Sequence, residues 1–244
     1  MAMLDEERQP GEEVLRALPV FPLPNAVLLP GMVLPLNVFE SRYLDLVDHA
    51  LAHGRHIGIP LLKPGYEDDY YGRPAMEPVF GLGKLLSHQR LPDGRRFIRL
   101  EGLGRVRTVR EVDAGTTFRL VQVEPLRETA PSDANGLEVL KAQLERIARA
   151  LDDEDAEMVQ CVLQIPDPRI LVYAVTAIMP NLGLNLHAAA VEAGPQARCS
   201  DLALQQACLA AETADERIAL LLQRSANICG DLTGRGRFPA AMMN

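Results

Sequence analysis

The chain has no tryptophan, and aromatic residues make up only 5% of its 244 positions. That argues against a broad aromatic platform stacking several nucleic-acid bases. Lysine is nearly absent as well, with three lysines against 22 arginines. Almost every cation is therefore a planar guanidinium, suited to holding carboxylate or phosphate. Serine is scarce, and none of the five serines sits in a Gly-x-Ser-x-Gly pattern. The four cysteines (Cys161, Cys199, Cys208 and Cys229) all fall after residue 160 and form no CxxC pair. They predict free, mostly buried thiols in a reducing compartment. No apolar run is long enough for a bilayer: the longest, Ile170 to Met179, closes at Pro180, and a spanning helix needs about 20 residues. The N-terminus carries Asp5, Glu6, Glu12 and Glu13 and lacks the apolar core of a secretory signal. A cytoplasmic protein is expected.

What is present is 48% apolar residue content, enough to bury a core in one large or two ordinary domains. The net charge of −8 disfavours indiscriminate binding to nucleic acid or to anionic membrane.

The character of the chain changes near residue 130. Most of the 18 prolines lie before it, between short β-like runs, and amphipathic helical patterns follow it. The prolines of residues 18–36 forbid a helix or a central strand and leave short edge strands. One helix is predicted at about Glu40 to His53, ahead of Gly54, and a strand at His56 to Leu62. Pro92-Asp93-Gly94 is a turn signal, so 79–87 and 95–101 should pair as a hairpin. Gly102 and Gly104 suggest a bend into 105–111, and a further strand runs from Thr116 to Leu126. The second half reads as helices: Leu137 to Leu151, a helix opened by Asp167-Pro168 that ends before Pro180, and one capped by Ser200. A last helix is opened by the capping-box pattern Thr213-Ala-Asp-Glu216. The expected organisation is a flexible 1–16, a β-barrel at 17–130, a helical subdomain at 131–227 and a flexible 228–244.

Motifs for catalysis are missing. Gly81-Leu-Gly-Lys-Leu85 approaches a phosphate loop, but Pro78 stands where its first glycine belongs and Leu85 where Ser or Thr must hold magnesium. Strand glycines are the better reading. Gly102-Leu-Gly104 lacks the third glycine and the helix of a dinucleotide fingerprint. Cys161 is flanked by Val159, Val162 and Leu163, a setting that suppresses thiolate. The acidic run Asp152 to Asp155 has no calcium-loop alternation and reads as a solvated interhelical loop. His49, His53 and His56 are the weak metal candidates: the first two are four apart on the predicted helix, and the third lies past Gly54. A solvated helix end is the plainer reading. No cofactor is expected.

Two segments are candidates for binding. Residues 84–110 carry Lys84 and seven arginines against Asp93 and Glu101. Within it Arg95, Phe97 and Arg99 should share one strand face, an aromatic between guanidiniums. The alternative is that these arginines are exposed barrel residues paired with the acidic stretch. The loop Lys63 to Pro78 holds Tyr66, Tyr70 and Tyr71 beside Arg73. Loop tyrosines are good contact residues unless they pack on their own barrel.

The run Leu18-Pro-Val-Phe-Pro-Leu-Pro-Asn-Ala-Val-Leu-Leu-Pro-Gly-Met-Val-Leu-Pro-Leu36 resembles the opening of the N-terminal, substrate-binding domain of Lon proteases. Val79-Phe-Gly-Leu-Gly-Lys84, Leu91-Pro-Asp-Gly94 and Leu100-Glu-Gly-Leu-Gly-Arg-Val-Arg107 look like that domain's central hairpin and following strand, in the same order. Ala214-Asp-Glu-Arg-Ile-Ala-Leu-Leu-Leu222 is similar to the helix closing the family's helical bundle, so the likeness spans about 18–225. The loop Lys63 to Pro74 resembles the stand-alone branch. The resemblance implies an α+β fold: a PUA-like pseudo-β-barrel of short strands with one helix, followed by an α-helical bundle subdomain. It also implies a stand-alone Lon-domain protein without ATPase or Ser-Lys peptidase modules, and it transfers no catalytic residue. The function it implies is non-enzymatic recognition of exposed apolar or unfolded polypeptide, such as clients of a protease system. Candidate contacts are Tyr66, Tyr70, Tyr71, Arg73, Arg95 and Phe97, with strand addition at a barrel edge as one mode. The rival reading is RNA binding by the basic 84–110 patch, and a remote one is a metal-dependent hydrolase.

Overall fold

Apolar and polar residues alternate along much of the first half, and in the structure those stretches are strands. The computed structural model describes residues 10–186 and 195–234. The chain divides into two units, at Arg127 and Glu128. The first opens with helix α1 (Glu12–Arg16), inside the segment expected to be flexible, and strand β1 (Leu18–Val20). Strand β2 (Val33–Val38), helix α2 (Ser41–Ala52) and strand β3 (His56–Ile59) follow. A single 3-10 turn at Tyr66–Asp69 leads to β4 (Val79–Arg90), β5 (Arg96–Val112) and β6 (Arg119–Leu126).

The strands form one sheet in the order β2-β5-β4-β3-β1-β6, and β6 also pairs with the far half of β5. The ladder thus returns to β5, with β2 alongside its first half. Register shifts within β4–β5 and β5–β6 keep it from being a regular barrel. The pseudo-barrel and α+β class match the expectation. Gly94, at φ +87°, turns the hairpin between β4 and β5 where Pro92-Asp93-Gly94 predicted it.

One sequence expectation fails here for an identifiable reason. β1 contains Pro19, yet it lies between β3 and β6, not at an edge. Only three residues long, it has little ladder for the missing N–H to break. At Gly102 and Gly104, where a bend was expected, β5 is not interrupted, but its register against β4 shifts between the two glycines. Gly102 instead lets the 29–32 segment lie against the strand: its N–H donates to the Met32 carbonyl and its carbonyl accepts from Gly31, both at 2.8 Å.

Helix α2 buries Tyr43, Leu46, Val47 and Ala50. Removing Leu46 and Val47 from water stabilises the unit by about 1.5–3 kcal/mol each before entropy is counted. They pack with Leu28, Ile57, Leu85, Ile98 and Leu100 in the main core of this unit.

The second unit holds α3 (Ala134–Ala148), α4 (Asp153–Leu163), α5 (Pro168–Leu186), α6 (Pro195–Ala210) and α7 (Ala214–Gly234). Its core gathers Leu140, Leu144, Ile147, Val159, Val175 and Leu221. The capping box forms as read: Glu216 N–H donates to Thr213 Oγ1, and Thr213 N–H to Glu216 Oε2, each at 3.2 Å. Other readings are corrected. Asp152 to Asp155 is not a loop: Asp152 caps α4, and the next three acids form its first turn, where the helix dipole favours them. Helix α5 continues through Pro180. Proline removes one helical hydrogen bond, a loss that the buried Val175, Ile178, Met179 and Leu182 outweigh. α6 begins at Pro195, so Ser200 is interior to it, not its cap. Cys161 is exposed, and Cys208 and Cys229 are buried. α7 reaches Gly234 beyond the expected end at 227, and the rest of the expected tail lies outside the described residues.

Candidate functional site

The loop between β3 and β4 carries the tyrosines, and the sequence around Glu40 fixes where they go. Glu40 sits at the entry of α2 and accepts a hydrogen bond from Tyr70 Oη at 2.7 Å and one from Arg42 Nε at 3.0 Å. Arg42 Nη2 in turn donates to the Tyr70 carbonyl at 3.1 Å. Burial, and then the hydrogen bond to Glu40, push the Tyr70 hydroxyl up to about 12. Tyr70 is therefore a fastener of the loop. Its ring meets Tyr71 edge-on with centroids 5.2 Å apart, and Tyr66 lies 6.2 Å away. The Arg42 guanidinium lies 4.7 Å, 5.3 Å and 5.9 Å from the ring centres of Tyr43, Tyr70 and Tyr71. Tyr71 ends this cluster and is 87% exposed.

Beneath Tyr71 lies a cleft of about 270 Å³. Arg42 and Tyr43 of α2, Tyr71 and Arg73 of the loop, and Phe118 and Arg119 at the start of β6 line it. Arg119 donates to the Pro74 carbonyl at 2.7 Å and to Glu111. Arg73 reaches the same Glu111 at 3.3 Å. Of the loop candidates the structure brings Tyr71 and Arg73 into the cleft, uses Tyr70 as support, and leaves Tyr66 beside Tyr70.

Arg95 and Phe97 stand elsewhere, on the β4–β5 hairpin, and contribute nothing to the cleft. Arg95 pairs with Asp93 in its own turn at 2.6 Å. Phe97 is 40% exposed on the outer face of the sheet, opposite Asn37 of β2 and Gln89 of β4. Among the described residues β2 pairs with β5 alone, so its other edge is open within the sheet. Its outward positions continue with Val33 and Pro35 and lead to Phe39, which is 67% exposed. Phe39 escaped the sequence reading, although the alternation of Val33, Pro35 and Asn37 carried on to it. Arg42, Phe118 and Arg119 escaped as well, because their places in the cleft depend on pairings far apart in sequence.

The basic stretch is less free than its composition suggests. Arg96 is buried and makes two 2.6 Å hydrogen bonds to Asp48, which hold that carboxyl below its ordinary range. Arg90 lies 3.6 Å from the same Asp48, and Arg107 is 3.5 Å from Glu124. These partners come from the barrel itself. Arg99 stays exposed on the Phe97 face.

His49 and His53 stack with centroids 4.2 Å apart, and His53 Nδ1 donates to the His49 carbonyl at 2.8 Å. Burial, with His53 adding to it, lowers the His49 pKa. His56 is buried in β3. Among the described residues no three of His, Cys, Asp and Glu are grouped as a metal ion would need. No described helix is long and apolar enough to cross a membrane.

Comparison with known proteins gives this geometry a family. The description "ATP-dependent protease La (LON) substrate-binding domain" matches residues 17–182. The chain is 30% identical over 185 residues to the Lon protease of Trichlorobacter lovleyi, covering 72% of this chain and 22% of that protein. It is 27% identical over 129 residues to the Lon protease of Flavobacterium johnsoniae, covering 53% of this chain and 16% of that protein. It thus spans about a fifth of the length of these relatives. The N-terminal domain of the Mycobacterium avium complex Lon protease superposes with a TM-score of 0.60 at 17% identity, covering 87% of this chain and 99% of that domain. That likeness is one of fold. The chain belongs to the Lon substrate-binding domain family.

Proposed function

We propose that this chain is a non-catalytic module that recognises exposed apolar segments of unfolded polypeptide. The observation that carries the reading is the outer face of the β2–β5–β4 sheet, where Phe97 and Val33 stand exposed and β2 leads into the exposed Phe39. Large apolar side chains held outward on rigid strands lose little entropy when they bind, and they gain from covering apolar surface. Membership in a family of substrate-binding domains agrees with a recognition role. Pairing of Arg90, Arg95, Arg96 and Arg107 with carboxylates weakens the RNA reading, because those charges are already compensated.

The contact is made by side chains and not by strand addition. Gly102 N–H donates to the Met32 carbonyl. Hydrogen-bonded pairs alternate along an antiparallel ladder, so Pro35 has its nitrogen on the open edge. That edge lacks a donor in its middle, which an added strand would need. The test is fluorescence anisotropy with a labelled, denatured polypeptide. Phe39→Asp/Phe97→Asp should weaken binding about tenfold or more with the melting temperature kept, since each loses apolar contact worth about 1–2 kcal/mol. Unchanged affinity in a folded double variant would remove this face from the reading.

A further inference from the structure

The cleft under Tyr71 has chemistry that an apolar-segment reader does not need. Three guanidiniums (Arg42, Arg73 and Arg119) line it, and none of its described lining residues is acidic. Their charge balance is uneven. Arg42 is matched by Glu40 at 3.0 Å. Arg73 and Arg119 share the single carboxylate of Glu111, which leaves one positive charge over. Two further acids stand nearby and add negative charge: Asp69 Oδ2 accepts the backbone N–H of Arg73, and Asp45 accepts the Thr117 hydroxyl at 2.7 Å. Arg119 Nε is buried and has no hydrogen-bond partner among the described residues. A buried donor left unmet is costly, and a ligand oxygen would relieve it. Arg73 is 58% exposed and spends one weak side-chain contact, so most of its donors remain available.

We infer that this cleft binds a carboxylate of the polypeptide, whether the chain's own C-terminus or an acidic side chain. The inference rests on the polypeptide-recognition reading above and names a feature of the ligand. With Asp45 and Asp69 adding negative charge close by, a ligand of one negative charge suits the cleft better than a phosphate group, which would bring nearly two. The planar fork of a guanidinium meets the two oxygens of a carboxylate in register. A space of about 270 Å³ suits one end group or side chain. Tyr71 and Phe118 supply apolar contact for the residue that carries the carboxylate.

Short apolar peptides labelled for anisotropy test this, each made as free acid, as C-terminal amide, and as amide with one internal Glu or Gln, beside a denatured polypeptide. The peptide with its carboxylate should bind about tenfold tighter than its neutral twin, the value of one charge-assisted hydrogen bond. The acid–amide pair and the Glu–Gln pair tell the two carboxylate sources apart. In Arg73→Gln, a substitution at an exposed side chain, the preference should disappear with the melting temperature unchanged. Binding without preference for either carboxylate, or a preference that Arg73→Gln leaves intact, overturns the inference alone. Absence of binding by the peptides and the denatured polypeptide together overturns the recognition reading as well.

Discussion

Gly81 and Gly102 have no room for a methyl group. A Cβ on Gly81 would collide with the Leu28 carbonyl, and one on Gly102 with the Leu29 carbonyl. Both contacts are to backbone of the extended segment before β2, which cannot swing away as a side chain would. Gly102→Ala should cost about 3 kcal/mol or more, at the upper end for single substitutions, and chemical denaturation will read it. The phosphate-loop likeness at Gly81 therefore reflects packing. The sequence marked Gly81 as a strand glycine and Gly102 as a bend but not what lies over them, because the overlying segment is some fifty to seventy positions away. A second residue test concerns Arg96, buried and held by Asp48. Asp48→Asn should destabilise by about 2 kcal/mol, less than for a fully buried pair because Asp48 is half exposed. A third concerns His49. Its folded pKa is depressed by burial below the ordinary 6.5. Above that pH it is neutral in both states. As pH falls below it, the unfolded chain takes a proton that the folded one resists, so stability declines until the folded pKa is passed. Melting temperature should fall between pH 7 and pH 5 by a part that His49→Gln removes.

At the scale of elements, local chemistry decided most outcomes, and failures occurred where tertiary packing overruled it. The hairpin at Pro92-Asp93-Gly94, helix α2 and the capping box at Thr213 were legible because each signal is complete within a few residues. Helix α5 crosses Pro180 because its apolar residues are buried on both sides of the proline, and no local rule reports that. The site divides in the same way. Tyr71 and Arg73 could be picked out as loop residues, but Arg42 and Arg119 become their neighbours only when α2 and β6 are in place. β2 supplies an element-level test. Pro35 keeps a donor off the open edge, a common guard against strand-to-strand association. Pro35→Val restores that donor, and light scattering should show a concentration-dependent rise in self-association that the parent chain does not share.

Across the whole molecule, the sign of the net charge and the sign of the local charge differ. The net charge is −8, yet residues 84–110 are basic, and the barrel's own acids absorb much of that excess. In the first unit, Arg99 stands exposed beside Phe97, and Arg73 in the cleft keeps donors to spare. Recognition by apolar contact with a local carboxylate preference is the behaviour this distribution supports. The most direct measurement is a side-by-side titration of the full chain with denatured polypeptide and with single-stranded RNA, at low and high salt. Saturable binding of the polypeptide that changes little with salt, with weak or no RNA binding, is the expected result. RNA binding that collapses steeply with salt, with no polypeptide binding, would contradict it.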